Sequence, residues 1–142
     1  MSNPPRDLAE LVSLFLPVKF GEDLSHENEL DVLAASLGAF TAAVTTKITP
    51  MSWSERTDLC RRVAARVDGE FAAWMVEAAF RSAEGDQEAL VGADPQKLAG
   101  IPVETLAVLG TESLSRDEAE ALRAPAVEHA RALRPALENI PR

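Results

Sequence analysis

Apolar residues recur along this chain mostly at steps of three and four, and the gaps between runs carry proline, glycine or helix-cap residues. Leu8, Leu11, Val12 and Phe15 make the first such run, with Asn3, Pro4 and Pro5 as its start signal and Pro17 as its end. Ser25 is the expected N-cap of a long second helix. Its stripe is Leu30, Leu33, Leu37, Phe40, Val44 and Ile48, and Pro50 stops it by removing a backbone donor. The other side of that helix is smooth and small, with Ala34, Ala35, Ala39, Ala42 and Ala43.

Ser52 with Glu55 forms a capping box ahead of a third helix, whose apolar face is Trp53, Leu59, Cys60, Val63 and Val67. Asp58 and Arg62 stand four apart on it, the spacing of a favourable ion pair. Asp68 and Gly69 break or kink the run. Phe71 to Phe80 reads FAAWMVEAAF, apolar nearly all round with Glu77 its only charge, so it predicts a helix buried on most sides, with Trp74 in the core. Gly85 to Asp94 is linker-like. Asp94 and Pro95 begin a short helix ending near Gly100, and Pro102 to Leu109, closed by Gly110, predicts another. Ser115 with Glu118 caps a last helix carrying Ala119, Leu122, Ala126, Ala130, Leu133, Leu137 and Ile140, which Pro125 and Pro135 should kink or split. The pattern therefore predicts one all-α, bundle-like domain over 1–142. It should have five to seven helices, a central apolar helix near 71–80, and 85–94 as the place where any subdivision would fall.

Composition strengthens this reading. Of the 142 residues 46% are hydrophobic, enough for a core, alanine leads that fraction, and tyrosine is absent. Charge then removes function classes. The net charge is −9, and the part through Glu84 has 8 basic against 13 acidic residues (−5), the rest 6 against 10 (−4). Neither half offers the positive patch that displaces counterions from phosphates, so nucleic acid is an unlikely partner and an anionic membrane surface is disfavoured. The run Leu33 to Val44 is shorter than the roughly 20 residues a bilayer span needs. Met1 to Glu10 carries acid and proline rather than a signal-peptide pattern. A cytoplasmic protein is expected. Cys60 is the only cysteine, which leaves no intrachain disulfide and no cysteine-based zinc set.

No phosphate loop, HExxH pair or nucleophile elbow stands in the chain, so the sequence assigns no catalytic residue and names no cofactor. Ser25 to Glu29 with Asp31 gathers a histidine and three acids, as a metal or acid–base pair would. Acids also gather at a helix N-terminus to complement its dipole, and that reading is preferred; no metal site is expected. The residues best placed to bind something are Trp53, Trp74 and His129: two large aromatics, and a histidine on the apolar stripe of the last helix. Cys60 has no base beside it and reads as packing. Arg56, Arg61, Arg62 and Arg66 are interleaved with Glu55 and Asp58, which reads as a solvated, ion-paired face. Leu98 to Pro102 resembles a helix-hairpin-helix element over about 20 residues, with Pro102 where that family has its second glycine; the resemblance implies a glycine turn on a DNA phosphate.

The expected function is a non-catalytic, acidic helical module that binds a protein partner with a basic surface, as an inhibitor or immunity-like protein does. The alternative is a helical small-ligand binder or enzyme with an inter-helix pocket near Trp74 and His129. A two-fold homodimer through the Leu30–Ile48 helix is a further expectation, since a stripe that long with an apolar back asks to be covered from both sides.

Overall fold

The computed structural model describes residues 6–16, 22–66, 72–86, 88–89, 98, 100–112 and 114–139. Six helices account for most of them: α1 (Leu8–Val12), α2 (Glu29–Ala43), α3 (Trp53–Ala65), α4 (Ala73–Ala83), α5 (Ile101–Glu112) and α6 (Arg116–Glu138). The fold is all-α, as the periodicity predicts.

Local chemistry sets most of the helix ends. α1 opens at Asp7, whose carboxylate accepts the Glu10 N–H at 2.8 Å while Glu10 accepts the Asp7 N–H. The expected start at Asn3 lies outside the described residues. α1 stops at Val12, yet Leu14, Phe15 and Leu16 still enter the core. α2 is capped by Asn28 and not by Ser25. Asn28 accepts the N–H groups of Leu30 and Asp31, whereas the Ser25 hydroxyl is taken by Asp23 at 2.6 Å. Beyond Ala43, α2 widens into a π turn over Val44–Ile48, where the Thr49 N–H reaches the Val44 carbonyl at 2.8 Å. The capping boxes at Ser52–Glu55 and Ser115–Glu118 both form.

α2 is the hub: α1, α5 and α6 all pack on it, α6 most extensively. Its buried face joins the second half of the stripe, Phe40, Val44 and Ile48, to the alanine side. Ala34, Ala35, Ala39, Ala42 and Ala43 are buried, while Leu30, Leu33 and Leu37 are only half-buried. The reason is the closeness of α6. A Cβ placed on Gly38 would stand 2.5 Å from the Ala126 carbonyl oxygen and 2.8 Å from the Ala130 nitrogen. Two helix backbones that near each other admit only glycine and alanine between them. Cover for α2 thus comes largely from helices of the same chain, the role expected of a second copy. The unbroken run Glu29–Ile48 has the length and apolarity of a membrane span, and 56% of its most apolar 18-residue window is buried inside the fold.

α3 and α4 form an antiparallel pair beside this centre, with α5 against α3 and the π turn against α4. α4 departs from expectation. It buries Met75, Val76, Ala78, Ala79 and Phe80, but Trp74 and Arg81 face solvent. Phe80 is the largest fully buried side chain, its ring 6.0 Å from that of Phe40 on α2. Apolar residue types all round α4 do not bury it all round: Ala78 and Ala79 are inside while the Trp74 indole is outside. Gly110 does not end α5, which runs on to Glu112. α6 continues unsplit through Pro125 and Pro135, its length held against α2. Most of the 85–94 linker, and the short helix expected from Asp94, lie outside the described residues.

Candidate functional site

Trp53 is the first residue of α3, directly after the Ser52 cap, and Trp74 is the second of α4. They are 66% and 61% exposed, the large hydrophobic side chains left in solvent among the described residues. The expectation that Trp74 fills the core is therefore corrected.

One turn along α3 from Trp53 stands Arg56, only 8% exposed. Its Nε donates to both Glu77 carboxylate oxygens at 2.9–3.0 Å, and its Nη1 donates to Glu84 at 2.9 Å. Nη2 donates to the second Glu84 oxygen. The guanidinium also lies over the Phe80 ring, 5.6 Å from its centroid. Thr49 donates to Glu84 as well, and Arg81 reaches Glu77 at 3.4 Å. Arg56 therefore clamps α3 to α4 through two carboxylates two turns apart, Glu77 within α4 and Glu84 at its C-cap. Hydrogen bonding to Glu84 raises the Arg56 pKa further, and the same bond holds the Glu84 carboxyl below its ordinary value.

Cys60 sits within the clamp, its thiol 3.6 Å from Glu77. Burial, then the Glu77 carboxylate, pushes that thiol up to about 12, far from the thiolate that attacks or ligates. With Glu77 and Glu84 both engaged by arginine, the arrangement suits structural clamping more than proton transfer. Because α3 and α4 are antiparallel, Trp53 lies one turn before Arg56 and Trp74 one turn before Glu77 from opposite directions. Each indole thus stands one turn from a member of the clamp.

No family model, curated protein or solved structure matches this chain. The remaining candidates rest on geometry alone.

His129 is half-buried on α6, one turn before Leu133. The pocket expected near Trp74 and His129 is displaced: a cavity of about 280 Å³ lies among α2, α4, α5 and α6, and neither residue lines it. The acids before α2 are drawn apart. Glu27 is buried and accepts the Arg6 backbone N–H at 2.8 Å and its guanidinium at 2.9 Å, with His26 Nε2 at 3.3 Å, whereas Asp31 pairs with Arg134 of α6. Among the described residues no three His, Cys, Asp or Glu side chains are grouped to hold a metal. Arg62 pairs with the interleaved Asp58 at 3.0 Å, whereas its second partner Glu112 and the Arg66 partner Glu104 come from α5, and Arg56 is buried rather than part of a solvated face. Of the helix-hairpin-helix resemblance, the preceding helix and Ala99 lie outside the described residues, and α5 begins directly at Ile101.

The Arg56 clamp is the feature the sequence reading missed. Its signal was Glu77, a lone charge in an apolar decad, together with an arginine on the Leu59–Val63 stripe.

Proposed function

We propose that this protein is a non-catalytic module that binds a protein partner through the α3–α4 face carrying Trp53 and Trp74, and that the partner presents a basic surface. The observation that carries the reading is the double exposure of the tryptophans. Two indoles, each more than half in solvent on one rigid helix pair, are what binding hot spots are made of. The Arg56 clamp fixes their spacing, so little conformational freedom is lost on docking. The net charge of −9 favours approach of a cationic surface and disfavours nucleic acid. The buried, protonated Cys60 fits packing under such a face rather than attack on a substrate.

The test compares wild type with the double variant Trp53→Ala/Trp74→Ala as bait in cell extract, followed by protein mass spectrometry. A protein captured by wild type, released by added salt and lost from the folded double variant supports the reading. Capture unaffected by the double variant overturns it. Sedimentation equilibrium adds the case of a second copy: a mass near twice 15.3 kDa that falls to the single value in the double variant would make the partner this chain itself.

A further inference from the structure

On the side of α4 away from Trp74, the helices leave an unfilled recess. Leu37 and Phe40 of α2, Ala79 and Ala83 of α4, Pro102 of α5 and Leu133 of α6 wall a cavity of about 280 Å³. Nine residues separate Trp74 from Ala83, half a turn in phase, so the cavity and the indole lie on opposite sides of α4.

Three properties of the wall define what fits. No charged side chain lines it among the described residues. Its polar side chains are two hydroxyls, Thr41 and Ser82, and neither donates a hydrogen bond to a described residue. Two other threonine hydroxyls turn back on their own helix, Thr45 to the Thr41 carbonyl at 3.0 Å and Thr111 to that of Ala107 at 3.1 Å. Thr41 and Ser82, both half-buried, make no such bond to a described residue and can donate to a guest. Finally, a cavity of about 150 Å³ with aliphatic and aromatic walls takes a benzene-sized guest, so this one suits about a dozen non-hydrogen atoms.

We infer that this cavity binds a neutral, mostly hydrocarbon molecule of about that size carrying one carbonyl or ether oxygen, which accepts from Thr41 or Ser82. A carboxylate or ammonium would lose its hydration without an opposite charge to replace it. Water in the recess meets only two hydroxyls, the low end of the two to four polar partners it takes, so it is readily displaced by an apolar guest. The hydrocarbon gains by leaving water, and its oxygen satisfies a donor that is otherwise half-buried and unpaired. The inference is independent of the tryptophan face.

Isothermal titration calorimetry with 2-nonanone and, separately, nonanoate tests it. Wild type should bind one 2-nonanone saturably and nonanoate at least about tenfold more weakly, the scale of one uncompensated charge. Thr41→Val/Ser82→Ala should weaken 2-nonanone about three- to tenfold, the worth of one hydrogen bond. Ala83→Phe, which fills the recess, should abolish binding; Leu37→Trp repeats the test from the opposite wall if that variant does not fold. No saturable binding to wild type, nonanoate binding as tightly as the ketone, or full binding by a folded cavity-filled variant would each overturn the inference. An unchanged affinity in the hydroxyl-free variant would overturn the role of the oxygen.

Discussion

Two residues here do the opposite of what their chemical types suggest. Trp74, in the most apolar stretch of the chain, stands in solvent, and Arg56, in a mixed-charge stretch, is buried. Truncating Trp74 to alanine should therefore cost less than about 1 kcal/mol, the range of surface changes, and not the 3–5 of a buried aromatic. Urea denaturation measures this, and a loss of several kcal/mol would place the indole in contact with the core. Arg56→Leu is the opposite case. It strands Glu77 and Glu84, half-withdrawn from water, and removes the clamp between α3 and α4. The expected loss is about 2–4 kcal/mol, below the full penalty for a deeply buried pair because both carboxylates keep some solvent. A variant as stable as wild type by the same measurement would show that the cluster holds nothing together.

At the scale of elements, the α2–α6 contact is decided by one missing side chain. Gly38→Ala forces a methyl carbon against the α6 backbone, where nothing flexible can yield. Even after the roughly 1 kcal/mol that alanine contributes in a helix, a net loss of about 2 kcal/mol is expected. Gly110 is the internal control. It too is helical, but an added Cβ there meets nothing within 4 Å, so Gly110→Ala should stabilise by about 0.5–1 kcal/mol. Thermal melts of the two variants should move in opposite directions. A stabilising Gly38→Ala would mean that the two helices separate without cost. The prolines of α6 make the same point about context: each removes a backbone donor, yet packing along α2 carries the helix through both.

Over the whole molecule, acid sensitivity follows from which carboxylates are held ionised. The hydrogen bond from Lys47, then those from the Ser115 N–H and hydroxyl, lower Glu118 to about 2. Glu84 is lowered by Arg56, and Glu27 is lowered because its bonds to Arg6 outweigh its burial. A carboxyl whose folded value lies below its unfolded one contributes stability in full above about pH 4.5 and loses it as pH falls towards the folded value. Stability should accordingly be level from neutral pH to about 5 and decline from there towards pH 2. Glu118→Gln should be the less stable protein at pH 6 and approach wild type near pH 2.5. Melting curves across that range check it, and parallel pH profiles for the two proteins would contradict the assignment to Glu118. Lys47 lies on the π turn after α2 and Glu118 in the first turn of α6, so this titration reports on the same helix pair as Gly38.

The sequence by itself determined the helices and several of their ends. Spacing, the stop at Pro50, and the boxes Ser52–Glu55 and Ser115–Glu118 act within a few residues, and the same atoms make those bonds in the folded chain. It also determined the charge balance and the local ion pair of Arg62 with Asp58, four residues apart on one helix. Only tertiary structure decided which side of each helix is inside. On α2 the larger Leu30, Leu33 and Leu37 stay half-buried while the alanine side is buried with Phe40, Val44 and Ile48, because buried area depends on how near the neighbouring backbone comes as well as on side-chain size. Nor does spacing reveal that Arg56 meets residues 21 and 28 positions away, or that four helices part around Thr41 and Ser82. Those meetings depend on the angles at which helices cross, and no local pattern in the chain encodes them.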